Sequence, residues 1–281
     1  MSGQRNRWLP HLILVLGALV FVFPIYLAVI GSSHDAGTIG RGQMPLLPGD
    51  QLLTNYRQAL ETGQGERVRT TPALTMMQNS LIMALGITVG KIIISLLSAF
   101  AVAFFNFPGR MFFFWMIFIT LMLPVEVRII PTYAVIANFG MVNTFAGLII
   151  PLIASATATL LFRQFFLTIP DELVDASQID GAGPMRFFWS ILLPLSRTNI
   201  AALFVIMFIF GWNQYLWPLL ITTSRHMETI VVGIVKMIGT GEAQTDWHLI
   251  MATAVLALLP PVLVIILMQR WFVKGLVDAD K

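Results

Sequence analysis

Residues 168–194 read TIPDELVDASQIDGAGPMRFFWSILLP, and this stretch decides how the rest of the chain is interpreted. It lies between two long apolar segments and contains no basic residue before Arg186. Its carboxylates all lie in the first half of the stretch, at Asp171, Glu172, Asp175 and Asp180. A polar, acidic segment between two apolar ones is typical of a loop that connects two membrane spans on one side of the bilayer.

Two short helices are predicted within this stretch. Thr168 can cap the first helix, with Pro170 in its first turn. The helix is expected to end at Asp180–Gly181, because glycine tolerates the left-handed conformation found after a helix. Gly183 precedes a proline that can begin the second helix, which is expected to end before the proline at position 194.

The first helix needs a surface on which to dock. Leu173, Ala176 and Ile179 recur at helical spacing with Val174 beside them, and so short a helix is marginal alone in water. Helices that lie on lipid have Lys and Arg on their polar face, whereas this one is acidic. A protein partner is therefore favoured, since an amphipathic helix in a groove is a common recognition mode. A solvated loop that only joins two spans is the alternative.

The same residues resemble a family signature. Bacterial ABC importer permeases have an EAA loop, in which EAA is followed by three residues, a glycine, nine residues and I-x-L-P. Asp175-Ala176-Ser177, Gly181 and Ile191-Leu192-Leu193-Pro194 occur at this spacing. Two positions depart from the pattern, because Asp175 stands where glutamate is usual and Ser177 where the second alanine is usual.

The resemblance implies a fold, partners and a set of coupling residues. The fold is that of a type I ABC importer permease (MetI-like), in the bacterial inner membrane. The implied partners are a second related permease, a dimer of ATP-binding subunits and a periplasmic solute-binding protein. The chain itself is expected to bind no cofactor, because ATP is bound by the partner subunits. The residues expected to couple to the ATPase are Glu172, Asp175, Ala176, Ser177, Asp180, Gly181, Ile191 and Pro194.

The resemblance extends across nearly the whole chain and implies a substrate. It is strongest to permeases of sn-glycerol-3-phosphate importers, through FWMIFITLMLPVEVR at 114–128, SATATLLFRQFF at 155–166 and GWNQYLWPLLIT at 211–222. The implied cargo is sn-glycerol 3-phosphate, with glycerophosphodiesters as a further possibility. A permease of the same family for a neutral sugar or oligosaccharide is the alternative.

Composition independently indicates a membrane protein. Of the 281 residues, 57% are hydrophobic and only 11% are charged, whereas a soluble domain has about 25% charged residues. The small net charge of +3 argues against a nucleic-acid partner. The chain has no cysteine, which excludes disulfides and thiolate metal sites.

An all-α membrane protein with six transmembrane helices in one domain, residues 1–281, is predicted. Arg5 and Arg7 precede the first apolar run and place the N-terminus in the cytoplasm. Six spans then place the C-terminus inside as well, with the coupling loop at 168–197 on the same side. The predicted spans are 9–30, 80–105, 111–130, 145–167, 199–221 and 249–268. The segments 32–78 and 222–247 become outer loops, and the tip at 239–241 is a candidate contact for the binding protein.

Polar residues in or near the spans are candidates for the translocation path. Lys91 lies about 17 Å along the second span, near the membrane midplane, at 1.5 Å per residue. A charge there is costly and is usually functional. Glu126 and Arg128 follow Pro124 near an outer end, and Asn213 and Gln214 interrupt the fifth span. Pairing of Lys91 with Glu126 is the structural alternative, while Tyr215 and Trp217 are interpreted as an interfacial aromatic belt.

The sequence argues against an enzyme and against a transporter that works alone. The four histidines are scattered without the spacing of metal ligands, and no G-x-S-x-G or H-E-x-x-H motif occurs. A non-catalytic permease is therefore predicted. Many secondary transporters have internal repeats, and none is recognised here. An acidic docking loop would also have no purpose in a transporter without an ATPase.

Overall fold

The computed structural model describes residues 8–63, 71–119, 125–238 and 245–278, with backbone only for residues 125–126 and 270–278. Every regular element in these ranges is helical. The α-helices are α1 Trp8–Gly31, α2 Ala36–Gly40, α3 Leu52–Glu61, α4 Ala73–Phe104, α5 Arg110–Ile119, α6 Val125–Asn138, α7 Phe145–Ile149, α8 Ala156–Phe166, α9 Asp171–Ile179, α10 Pro184–Phe187, α11 Leu193–Leu195, α12 Arg197–Trp212, α13 Leu216–Ile221, α14 Ile230–Met237 and α15 Trp247–Asp278.

The chain divides into two compact units. One contains the described residues between Met1 and Met77 and between Thr229 and Leu259. The other contains those between Gln78 and Glu228 and from Pro260 onward. The coupling loop and every candidate path residue belong to the second unit.

The first unit contains two helices within the predicted outer loop at 32–78. Helices α2 and α3 lie there, and at the start of α2 the Asp35 side chain accepts a hydrogen bond from the Thr38 N–H at 2.9 Å. The Thr38 hydroxyl, which donates to the Asp35 carboxylate at 2.6 Å, lowers the pKa of that carboxyl, and the bond from the Thr38 N–H lowers it further. The buried Asn55 amide donates to the carbonyls of Ser32 and His34, each at 2.8 Å. These bonds tie the segment after α1 to α3.

The second predicted outer loop, 222–247, also contains a helix. Ile230, Gly233 and Met237 of α14 are buried and recur at helical spacing. A Cβ on Gly233 would displace the end of the Met76 side chain, so the glycine allows Met76 to approach α14 closely within the first unit. The sequence analysis did not predict this helix, because the burial of Ile230, Val232 and Met237 depends on packing that their sequence neighbours do not reveal. The proposed tip at 239–241 lies outside the described residues.

The second unit is organised around α4. This helix begins at Ala73, in the first unit, earlier than the predicted start of the span at residue 80. The Asn79 amide donates to the carbonyls of His226 at 2.8 Å and Glu228 at 2.9 Å. Farther along α4, Phe100 and Leu96 pack with Phe162 of α8 and Phe188 in one buried cluster. This aromatic cluster supports the coupling loop.

Two pairs of consecutive helical segments are bent, one within the predicted span 145–167 and one between the coupling loop and the predicted fifth span. Helix α7 continues as a 3₁₀ turn, Ile150–Leu152, and meets α8 at 48°. The Ser155 hydroxyl caps α8 by accepting from the Ala158 N–H at 3.3 Å. The segment Pro184–Leu195 meets α12 at 72°. The predicted end before Pro194 is wrong: the π-helical turn Phe188–Leu192 widens the backbone there, and Pro194 follows in helical structure because the missing N–H is accommodated.

The predicted fifth span, 199–221, is interrupted. Helix α12 ends at Trp212 and α13 begins anew at Leu216. Pro218 lies in the first turn of α13, where its missing N–H costs nothing because the first N–H groups of a helix have no partner within it. The polar residues Asn213 and Gln214 form the break.

Three described helices are long and apolar enough to cross a membrane, Trp8–Gly31, Ala73–Phe104 and Trp247–Gln269. Among the described residues, counting each bent pair as one span raises the number to five. At the predicted third span, 111–130, the shorter apolar helix α5 is followed by α6, and residues 120–124 between them are not described. Six spans with both termini in the cytoplasm therefore stay a prediction.

Close contact between α4 and α12 gives the first testable prediction. A Cβ on Gly211 would lie 2.9 Å from the Ala84 Cα and 3.3 Å from its carbonyl oxygen. Because backbone cannot yield as a side chain can, we expect Gly211→Val to lower the thermal stability of the purified protein, at an overpacking cost of about 1–3 kcal/mol. Gly17→Ala is the control, because nothing lies within 4 Å of that Cβ position. Equal melting temperatures for both variants would contradict the packing argument.

Candidate functional site

Helix α9 presents one face outward. Glu172, Asp175, Ala176, Ile179 and Asp180 recur at helical spacing, and all are exposed. Ile179 is the most prominent, with 86% of its surface exposed. The opposite face packs inward through Val174, which contacts the aromatic cluster, and through the buried Ser177. The apolar residues predicted to mark a docking surface are thus divided, because Leu173, Ala176 and Ile179 lie outward while Val174 anchors the helix.

The start of α9 differs from the prediction. Its N-cap is Pro170, whose side chain has no acceptor for the first N–H groups of the helix, and Thr168 does not cap the helix. The Thr168 hydroxyl donates instead to the Phe165 carbonyl at 2.7 Å, at the end of the preceding helix. The carboxylates of Asp171 and Glu172 lie in the first turn, where the helix dipole favours negative charge.

The end of α9 is a complete Schellman motif. The N–H of Ala182 donates to the Ser177 carbonyl at 2.9 Å, and that of Gly181 to the Gln178 carbonyl at 3.0 Å. Gly181 has φ +70°, a left-handed conformation that residues with a Cβ resist. Nothing lies within 4 Å of the position of a Cβ on Gly181, so backbone conformation alone selects glycine there.

The four carboxylates of α9 and its cap, Asp171, Glu172, Asp175 and Asp180, are exposed. None of them forms an ion pair with another described residue. An unpaired acidic surface with an apolar side chain at its centre is suited to a basic groove with an apolar floor.

The other predicted coupling residues lie inward. Ser177 is buried and its hydroxyl donates to the Val174 carbonyl at 2.7 Å. Ile191 is half-buried against the aromatic cluster, and Pro194 is half-buried within the helical elbow. These positions hold the coupling loop in place, and they do not form its outward face. A cleft of about 310 Å³ separates Phe104 and Phe105 from Gln178 and Ala182.

Lys91 is buried in α4, with 6% of its surface exposed. Its ammonium lies 3.7 Å from the centroid of the Phe210 ring of α12, a cation–π contact. No described carboxylate lies within ion-pair distance of it. Part of the free-energy cost of removing this ammonium from water is not compensated, because a cation–π contact stabilises a charge less than a carboxylate does.

The residues predicted to accompany Lys91 lie on α6. Arg128 is exposed, and its carbonyl accepts a hydrogen bond from the Thr132 hydroxyl at 2.7 Å. The side chain of Glu126 lies outside the described residues, so pairing of Lys91 with Glu126 stays an alternative. Lys91 and Arg128, the two cations of the predicted path, belong to the same compact unit.

Asn213 and Gln214 lie at the break between α12 and α13. Asn213 is exposed and ends α12, while the Gln214 amide donates back to the Phe210 carbonyl at 3.1 Å. Gln214 therefore holds the residue whose ring contacts Lys91. The interpretation of Trp217 as part of an interfacial belt is wrong, because Trp217 is buried and donates to the Gly147 carbonyl at 3.1 Å.

Asn143 is a positioning residue that the sequence analysis missed. It is left-handed, with φ +58°, and its side-chain oxygen accepts from the N–H groups of Thr223 at 2.7 Å and Ser224 at 2.8 Å. Its amide donates to the Thr223 hydroxyl at 2.7 Å. These bonds fix the end of α13. The Gly140–Asn143 turn could have been recognised from sequence, since asparagine tolerates this conformation, but its partner lies 80 residues away.

Comparison with known proteins identifies the family. A family model described as "Binding-protein-dependent transport system inner membrane component" matches residues 91–278. The chain belongs to this family. It is therefore a membrane transport permease, and the predicted family and inner-membrane location are confirmed.

The permease has full-length relatives. Three of these relatives are named "sn-glycerol-3-phosphate transport system permease protein UgpE". The relative from Brucella melitensis biotype 1 is 60% identical to this chain over the full length of both. The relative from Agrobacterium fabrum is 60% identical over 98% of this chain and 97% of its own. That from Yersinia pestis bv. Antiqua is 55% identical over 96% of each.

The fold is also known from a solved structure. A chain of a bacterial ABC transporter involved in the import of the acidic polysaccharide alginate matches with a TM-score of 0.82 and 20% identity, over 97% of this chain and 99% of that chain. The predicted all-α fold of an ABC importer permease is confirmed by this likeness.

Proposed function

We propose that this permease forms, with a second related permease, the translocation path of an ATP-driven importer for sn-glycerol 3-phosphate. The observation that carries the proposal is identity of 55–60% along the whole chain to permeases named for that substrate. The other subunits would be a dimer of ATPases and a periplasmic binding protein. ATP would bind only to the ATPases, which would perform the hydrolysis.

The acidic outward face of α9 supports the coupling role. Glu172, Asp175 and Asp180 would approach basic residues of the ATPase while Ile179 enters an apolar pocket. The Schellman turn at Gly181 and the aromatic cluster behind Val174 make α9 a rigid lever. Movement of the docked ATPase would therefore be transmitted to the elbow at α12 and onward to the path.

The two cations support an anionic substrate. A phosphate ester in a path of low dielectric constant needs compensating positive charge, because its desolvation is expensive. Arg128 can bind phosphate with two parallel hydrogen bonds, whereas Lys91 acts as a point charge. The cation–π contact with Phe210 is weak enough for Lys91 to exchange it for a passing anion. Asn213 and Gln214 lie at the break where further polar contacts would form.

ATPase stimulation tests the proposed substrate. The four-component complex should hydrolyse ATP faster when its binding protein is loaded with sn-glycerol 3-phosphate than when the binding protein is empty. Maltose is the control for the alternative of a neutral sugar. If maltose stimulated ATP hydrolysis and glycerol 3-phosphate did not, the proposed substrate would be wrong. Failure of the permease to co-purify with any ATP-binding subunit would favour a transporter that works alone.

Charge reversal on α9 tests the docking surface. Asp175 is exposed and has no described partner, so Asp175→Lys should leave the fold intact. We expect the variant to lose most of its association with the ATPase in co-purification, because like charges across an interface cost several kcal/mol. Asp175→Asn, which removes the charge without reversing it, should be milder. If Asp175→Lys associated with the ATPase as well as wild type does, the negative charge of α9 would not contribute to docking.

A further inference from the structure

A second cleft lies at the elbow of the coupling loop. The 72° bend between Pro184–Leu195 and α12 leaves a space of about 460 Å³. Its lining is apolar except for one residue and includes Leu193, Ile200, Phe204 and Met268 of the terminal helix. The exception is Arg197, the first residue of α12.

Arg197 and Trp189 distinguish this cleft from an ordinary packing defect. Arg197 is exposed, and its guanidinium forms no hydrogen bond or ion pair with a residue in the described ranges. Trp189 borders the same space with 61% of its surface exposed, and its ring stands edge-on to that of Phe188. An arginine and a tryptophan beside an apolar groove are typical of the level of lipid headgroups.

Charge is segregated along the coupling loop. The carboxylates lie on α9 and its cap, between Asp171 and Asp180, whereas the exposed basic residues Arg186 and Arg197 follow them. The acidic part repels an anionic leaflet and the basic part attracts it. Among the residues whose side chains the structure describes, no acidic one lines the cleft at the elbow. The cleft at the elbow therefore favours an anionic occupant, whereas the acidic helix α9 favours a basic protein surface.

We propose that this cleft binds one anionic phospholipid of the inner leaflet. The headgroup phosphate would accept bidentate hydrogen bonds from Arg197, a geometry that guanidinium favours. One acyl chain would lie along Leu193, Ile200 and Phe204, with Trp189 at the border between chain and headgroup. The placement rests on the cytoplasmic location of the coupling loop in the proposed function. The bound lipid contacts both arms of the elbow and braces it against the pull of the ATPase.

Lipid retention measured by native mass spectrometry tests this site. The complete transporter, purified with its ATPase subunits, is equilibrated with equal amounts of phosphatidylglycerol and phosphatidylcholine. We expect wild type to retain phosphatidylglycerol preferentially, and Arg197→Gln to reduce that preference about fivefold, the effect of about one basic residue near an anionic surface. Arg197→Lys should restore part of it. Arg186→Gln is the matched control, because Arg186 is exposed on the same loop but does not line the cleft.

Several outcomes would overturn the proposal. One is equal retention of the two lipids by wild type, and another is an unchanged preference in Arg197→Gln. Millimolar inorganic phosphate should not displace the lipid, since the acyl chain supplies much of the binding; displacement would assign the site to a free anion. The measurement counts bound lipids without any transport. The lipid site can therefore be disproved while the proposed substrate is correct, and the proposed substrate can be disproved while the lipid site is correct.

Discussion

Gly181→Val is expected to abolish coupled uptake while leaving the permease inserted in the membrane. The left-handed backbone at φ +70° costs a residue with a Cβ about 1–2 kcal/mol, and a β-branched side chain makes it a severe outlier. The variant should therefore lose the Schellman turn that orients α9, together with the bond from Ala182 to Ser177. Uptake of the labelled substrate should fall by more than about tenfold, since about 1.4 kcal/mol already corresponds to a factor of ten.

Two controls separate conformation from bulk. Gly181→Asn should keep much of the activity, because asparagine adopts the left-handed conformation more readily than other residues with a Cβ. Gly183→Val tests side-chain volume in the same loop, because Gly183 has an ordinary negative φ and nothing lies within 4 Å of its Cβ position. Normal uptake and ATPase association by Gly181→Val would show that the turn does not orient the coupling helix.

Neutralising the two cations is the second large expected effect. Lys91→Met should preserve packing, because methionine has a similar length and its sulfur contacts aromatic rings favourably, here Phe210. Assembly and basal ATP hydrolysis should be unchanged. Uptake of sn-glycerol 3-phosphate should fall about tenfold or more, since a hydrogen bond to a charged group contributes about 1.5–3 kcal/mol. Arg128→Gln should do likewise.

Charge-conserving variants provide the matched comparison. Lys91→Arg and Arg128→Lys keep the positive charge and should retain more uptake than the neutral variants. If Lys91→Met and Arg128→Gln both transport at the normal rate, the cations are structural. In that case Lys91 would be expected to pair with Glu126 or with a residue of the second permease.

The coupling loop was largely predictable because its signals are local. These signals are an acidic stretch, a glycine after a helical repeat and a proline at the start of the next helix. Each of them influences the backbone only within one or two helical turns. The loop therefore gave the family, the helix α9 and its end at Asp180. What the local pattern missed was the inward position of Val174, because the inward face is set by the aromatic cluster of Phe100, Phe162 and Phe188.

The path and the outer segments depend on distant contacts and were predicted less well. The polarity of Lys91 marked it as a candidate, but its contact with Phe210 joins residues far apart in the chain. The hydrogen bonds of Trp217 to Gly147 and of Asn143 to Thr223 are equally remote. Helix α14 was overlooked because its burial depends on residues such as Met76. Local patterns contain no information about such partners.

Uptake of radiolabelled sn-glycerol 3-phosphate tests the central claim most directly. Cells without their own uptake system for this ester would receive the permease, its second permease, the binding protein and either active ATPase or ATPase disabled in hydrolysis. The account predicts accumulation against a gradient only with active ATPase and only when the permease is present. Accumulation that is the same with disabled ATPase, or accumulation of a neutral sugar without glycerol 3-phosphate, would contradict it.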